Sequence, residues 1–162
     1  MRAGLVAFLV ATAMLAGTGS ADAQVLGYAI AGPAGVHGFF GSRADAGQAA
    51  GGAELLAGGR AGIAGEFGII ASGSGGLLVY SLNGVLHILS SRTPRGASPF
   101  VTGGYTRIWN GDGAFNAWNA GAGVDAWFSD HVGARAEFRD QVRPDGRGTV
   151  HYWTIRGGLV FR

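Results

Sequence analysis

Seven ionisable residues of this 162-residue chain, Glu54, Glu66, Asp125, Arg135, Glu137, Arg139 and Arg156, lie within stretches that are otherwise apolar, small or weakly polar. Arg135, Glu137 and Arg139 recur at every second position, the spacing that puts side chains on one face of a β-strand. Charges of both signs gathered on one enclosed face can pair. Removing one partner of such a buried pair costs about 3–5 kcal/mol, because the other charge is left uncompensated. Asp140 falls in the opposite phase and needs a place beyond any apolar zone.

Other chemistries lack the residues they need. Ser81 and His87 share a face but stand six positions apart, about 20 Å at strand rise, so they form no nucleophile–base pair. Ser129-Asp130-His131 is contiguous and reads as a turn. His37, His87, His131 and His151 show no metal-ligand spacing, and there is no cysteine to complete a site. Gly121 to Ala126 spells G-x-G-x-x-A, but an alternating strand runs through it where a dinucleotide site needs a strand, a turn and a helix. The sequence therefore assigns no catalytic, cofactor or metal residue.

The elements that must hold the charges begin after a leader. Arg2, the apolar run Ala3 to Ala16 and the A-x-A sequence Ala21-Asp22-Ala23 read as a signal peptide over residues 1–23, with Gln24 as the mature start. The run is too short to cross a bilayer, which takes about 20 residues. Residues 24–162 then form one domain. Charged residues are only 14% of the chain, against about 25% on average. The 48% hydrophobic content argues against a solvated coil despite 32 glycines. Without cysteine there is no disulfide framework. A net charge of +2 from scattered arginines is no footprint for nucleic acid.

No apolar period near 3.6 persists after Gln24; period two recurs instead. Candidate strands are Leu26 to Ala34, Gln48 to Ala57, Ala61 to Ala71, Leu77 to Ile88, Pro99 to Trp109, Asn116 to Phe128, His131 to Arg143 and Val150 to Arg162. Turn-formers separate most of them, including Gly58-Gly59, Ser72 to Gly76, Asn110 to Gly113, Ser129-Asp130 and Pro144 to Gly146. The stretch Leu89 to Ser98 is longer and irregular. Eight antiparallel strands predict an all-β, up-and-down transmembrane barrel. In such a barrel the outward face meets lipid, and the narrow interior holds a limited set of side chains. The apolar phase then turns Tyr28, Phe67, Tyr80, Trp118, Phe128, Phe138, Trp153 and Phe161 toward lipid. The opposite phase turns Glu54, Glu66, Asp125, Arg135, Glu137, Arg139 and Arg156 inward as a lumen-plugging network. Two phases stay open: Trp127 breaks its strand's pattern, and Pro99 to Trp109 must point either Thr102 and Thr106 or Arg107 outward.

The segments NAWNAGAGVDAWFSDHVGARAEFRD (116–140), PFVTGGYTR (99–107) and HYWTIRGGLVFR (151–162) resemble the bacterial outer-membrane β-barrel domain family, the small eight-stranded porin-like barrels of OmpA and OmpX architecture. The resemblance implies export through the periplasm and insertion into the outer membrane. It also implies an aromatic last strand, here Leu159 and Phe161, read by the assembly machinery. The expected partners are outer-membrane lipids and lipopolysaccharide around a monomer. The leading function is a non-enzymatic structural or interaction barrel. A narrow porin-like channel and a lipid A-modifying enzyme are the alternatives. With the amino terminus in the periplasm, the outer loops are Gly35 to Gly47, Ser72 to Gly76, Asn110 to Phe115 and Pro144 to Thr149.

Overall fold

In a chain whose polar and apolar residues alternate, an open sheet would leave one edge of unpaired amides, which lipid cannot solvate; closure removes the edge. The computed structural model describes residues 23–38, 41–72, 75–92, 95–111, 113–144 and 148–162. The leader read over residues 1–23 lies, but for Ala23, outside the described residues. Eight strands follow in order: β1 (Ala23–Gly38), β2 (Gly41–Ala57), β3 (Ala61–Ser72), β4 (Gly75–His87), β5 (Ala97–Asn110), β6 (Gly113–Trp127), β7 (Val132–Pro144) and β8 (Thr149–Phe161). Each pairs antiparallel with its sequence neighbour, and β1 pairs with β8 to close the barrel. The strands extend the predicted boundaries by up to a few residues, most of all in the first hairpin. Gly35 to Gly47, expected to be a long loop, is largely paired backbone of β1 and β2, with a register shift between Ala34 and Val36.

The register fixes the barrel's shape. Following paired residues from Gly27 through Ala53, Gly65, Leu82, Tyr105, Trp118, Val142 and His151 returns to β1 at His37, ten residues further along. Eight strands with that stagger tilt about 40° from the axis. The interior of such a barrel is just wide enough for side chains to fill.

Alternation places one set of side chains in that interior and the other outside. Ile63, Phe67 and Ile69 of β3 are exposed while Ala64, Glu66 and Ile70 are buried. The open phase of β5 resolves with Thr102 and Thr106 buried and Arg107 exposed. Trp127 points inward and is buried near the β6–β7 turn.

Strand β1 corrects the expected phase. Leu26, Tyr28 and Ile30 are buried in the lumen, so Tyr28 does not face outward. Its cross-strand partners Gly52 and Val160 share its face, and the outward positions are Gly27, Ala29, Ala31 and Pro33. The physical reason is room. A Cβ at position 52 would stand 2.5 Å from the Tyr28 hydroxyl oxygen, so glycine there makes the space that the phenol occupies. Lipid tolerates small apolar residues as readily as large ones, whereas an eight-stranded lumen needs bulk where its opposite wall is glycine.

A second glycine guards the closing seam. At Gly158, across from Ile30, a Cβ would approach the Ala29 carbonyl oxygen to 2.0 Å. Gly158→Ala is expected to destabilise the barrel by about 1–3 kcal/mol, the usual cost of overpacking. Gly27→Ala, with nothing within 4 Å of the added atom, should stay within about 0.5 kcal/mol. Urea unfolding in lipid, followed by tryptophan fluorescence, measures both.

Candidate functional site

The barrel's lumen is the place where ionisable side chains converge. Alternation on β2, β3, β6, β7 and β8 turns Glu54, Glu66, Asp125, Arg135, Glu137, Arg139 and Arg156 inward, and all seven are at most 3% exposed. They form two groups. Nearer the β2–β3 turn, Arg135 grips Asp125 with two parallel bonds, Nε to Oδ1 at 2.7 Å and Nη2 to Oδ2 at 2.8 Å. Its Nη1 donates to Glu54 Oε1 at 2.6 Å. Further up, Arg156 donates to Glu66 from Nη1 and Nη2 at 2.7 and 3.1 Å, and from Nη2 to Glu137 at 2.9 Å. Arg139 donates from Nε to Glu137 at 2.7 Å and from Nη1 to Glu66 at 3.2 Å. Forked guanidinium bonds of this kind are roughly twice as strong as neutral ones and fix geometry as well.

Tyr28 joins the two groups. Its hydroxyl donates to Glu66 Oε2 at 3.0 Å. The Arg135 guanidinium lies 4.4 Å from the Tyr28 ring centroid and 4.5 Å from that of Phe100, so the cation is sandwiched between two π-faces. Beside the charges, the Ser81 and Thr106 hydroxyls bond at 2.9 Å, and Asn119 donates to Thr106 at 2.9 Å. Apolar layers bound this polar interior on both sides. One contains Leu26, Leu56 and Val160 with Trp127; the other contains Ile70, Val79 and Ile108 with Phe115 packed against them.

The end near the β2–β3 turn is covered by the chain itself. The β4–β5 connection leaves the barrel opposite the β1–β8 seam, yet Ser91 within it is fully buried. Its hydroxyl lies 2.9 Å from Gln24 Oε1 at the start of β1 and 3.0 Å from the Gly59 carbonyl in the β2–β3 turn. Arg162, beyond β8, donates to the Ser91 carbonyl and to the Asp130 carbonyl while its guanidinium sits 4.2 Å from the Trp127 ring centroid. The connection therefore crosses the mouth from one wall to the other. The irregular stretch Leu89 to Ser98 gave no sequence signal of this role, because its bonds go to residues far along the chain.

Sequence reasoning also missed what His87 does. Its phase on β4, shared with Ser81 and Asn83, pointed it away from the apolar face. Only the fold brings Nε2 to 3.0 Å from Glu54 Oε2 and Nδ1 to 3.0 Å from Ser98 Oγ. The serine–histidine–carboxylate order resembles a hydrolase triad, but Ser98 donates its own hydrogen to the Leu89 carbonyl at 2.7 Å. All three side chains are buried, leaving no approach for a substrate. Among the described residues no three histidine or carboxylate side chains gather as a metal site.

On the outside, Phe67, Trp118, Phe128, Phe138 and Phe161 are exposed, and Tyr80 and Trp153 are half-buried in the outward phase. Asp140 also faces outward, bonded to His151 Nδ1 at 2.6 Å. Glu66→Gln is expected to destabilise the barrel by about 3–5 kcal/mol, since it strips a shared carboxylate from both Arg139 and Arg156. Phe67→Leu on the outer face should cost less than about 1 kcal/mol. Denaturant titration of the two variants in the same lipid compares them directly.

No protein-family model and no curated protein matches the sequence. Solved structures match in fold. Neisserial surface protein A aligns with a TM-score of 0.66 at 12% identity, over 86% of this chain and 97% of that one. The N-terminal β-barrel domain of Pseudomonas aeruginosa OprF aligns with a TM-score of 0.58 at 20% identity, over 83% and 96%. The outer membrane protein OprG from Pseudomonas aeruginosa gives 0.50 at 10% identity, over 87% and 95%. This chain thus resembles the small eight-stranded outer-membrane barrels, and the likeness is one of fold.

Proposed function

We propose that this chain is a non-enzymatic integral barrel of the bacterial outer membrane, with a structural or interaction role and a lumen closed to bulk solute. One observation carries the reading. The outer wall presents a band of exposed Val25, Ile63, Leu82, Leu86, Val101, Ile155 and Leu159 among the aromatics, while the buried carboxylates and guanidiniums face the lumen. A water-soluble protein would have the reverse arrangement, because an exposed apolar surface this continuous marks a binding or membrane surface. An arginine turned to lipid at mid-depth would cost about 2–4 kcal/mol, and the phase avoids that cost.

On this reading residues 1–23 are removed during export, the assembly machinery inserts the barrel from the periplasm, and outer-membrane lipids and lipopolysaccharide surround a monomer. The paired charges and the connection across the mouth favour a plug over a pore. The triad-like trio with its committed serine hydrogen favours a non-catalytic lumen.

Cell fractionation with heat-modifiable gel migration tests the location: recovery in the outer membrane with a boiling-dependent shift is expected, and recovery in the soluble periplasm overturns the reading. Planar-bilayer recordings should show no steady conductance; a conductance altered by Glu66→Gln would make the barrel a narrow channel. Mass spectrometry of lipid A from cells overproducing the chain should show no change in acylation.

A further inference from the structure

The lumen's charges do not balance until a proton is counted. In the group built on Glu66, Glu137, Arg139 and Arg156, two carboxylates face two guanidiniums. In the group built on Glu54, Asp125 and Arg135, two carboxylates face one. A surplus charge in an enclosed interior is far more costly than one in water. The titratable side chain that touches this second group is His87.

The hydrogens on His87 follow from its partners. The Leu89 carbonyl can only accept, so the Ser98 hydroxyl hydrogen, 2.7 Å away, is directed there. Ser98 Oγ then accepts from His87 Nδ1, which must carry a hydrogen. At the other nitrogen, Nε2 and Glu54 Oε2 stand 3.0 Å apart. Two bare acceptors would repel at that distance, so a second hydrogen lies between them. Glu54 is held as a carboxylate by Arg135, whose Nη1 donates to its other oxygen, which leaves that hydrogen on the ring.

We infer that His87 is an imidazolium and the fourth cation of the lumen, and that the chain Glu54–His87–Ser98–Leu89 is a proton-dependent latch holding the β4–β5 connection across the mouth. The charged groups facing His87 are Glu54 of β2 and, through it, Arg135 of β7 and Asp125 of β6; from β5 come only the Ser98 hydroxyl and the tilted Phe100 ring, 5.3 Å away. Losing the proton does two things together. The group gains a net negative charge, and Glu54 no longer receives a bond from the ring. The far end of the latch carries the consequence, because Ser98 and Leu89 flank the segment whose Ser91 is bonded to Gln24, Gly59 and Arg162. The inference rests on the lumen's geometry and stands apart from the proposed location.

The test uses the full chain refolded in detergent micelles with nitrogen-15-labelled histidine, the His87 signals being assigned from those lost in His87→Phe. At about pH 8, above the ordinary histidine value of about 6.5, NMR should find both His87 ring nitrogens protonated. In Glu54→Gln it should find one, since the amide replaces the bond without demanding the charge. Trypsin cleavage after Arg95, in the connection, should accelerate several-fold as pH rises through the loss of the second ring hydrogen. Ser98→Ala separates latch from charge: the ring should stay doubly protonated while cleavage is already fast at pH 8. A singly protonated His87 in the unaltered chain at pH 8, or cleavage that ignores both the ring's deprotonation and the loss of Ser98, would overturn the inference.

Discussion

The barrel depends on a constraint of enclosed electrostatics: a carboxylate or guanidinium shut away from water must meet its opposite, with its remaining lone pairs and hydrogens also bonded. Arg135 meets it with Asp125, Glu54 and two aromatic faces. Arg139 and Arg156 meet it by sharing Glu66 and Glu137. These partners come from β2, β3, β6, β7 and β8, so none of the pairs forms fully unless the sheet has closed. The network therefore ties the β1–β8 seam to the interior. A sheet that opened at that seam would expose unpaired backbone at its edge and pull the Glu66 side of the lumen away from Arg156.

Packing has to satisfy the same geometry. Eight strands with a stagger of ten leave space for side chains and little else, so every large inward residue needs a small one across from it. Tyr28 lies over Gly52, and the Phe100 ring lies 2.6 Å from where a Cβ of Gly123 would be. The high glycine content is thus partly a map of the lumen. It marks where the wall gives way so that a phenol or a phenyl ring can line the arginine between them. The apolar layers on either side of the charges then limit water's access to the ion pairs, which strengthens each attraction and raises the cost of any charge left alone.

The sequence made strand order, strand number and most of the phases legible, and the reason is charge. Arg135, Glu137 and Arg139 define the inner face of β7 unambiguously, Glu66 does so for β3 and Asp125 for β6. Strand β1 has no ionised residue between Ala23 and Ala34, and there the reading of Tyr28 as outward failed. Hydrophobicity alone cannot distinguish lipid from a packed lumen, since both accept Leu26 and Ile30. What identifies the side is Gly52 across the ladder, a fact about pairing that the β1 sequence does not contain. The same limit hid His87 and the β4–β5 connection. Glu54 and His87 are 33 positions apart, Ser91 and Arg162 are 71, and no local pattern links them.

The outward polar residues bear on where a lipid layer would end. Arg107 of β5, bonded to Asn116 of β6 at 3.3 Å, and the Asp140–His151 pair of β7 and β8 lie toward the hairpin ends of their strands, beside Trp109, Trp118 and Trp153. Below them, β8 turns Trp153, Ile155, Gly157, Leu159 and Phe161 outward, a span of nine residues from Trp153 to Phe161. That matches the 9–11 tilted residues a strand needs to cross a hydrocarbon layer. Asp140 is paired directly across from Trp153, so the ion pair and the indole share one level. Indoles favour the interface, where one end of the ring is apolar and the other wet. A carboxylate at that level can keep its charge by holding a histidine on one side and headgroup water on the other. Asp140 thus obeys the rule that governs Glu66, with an interface in place of a lumen.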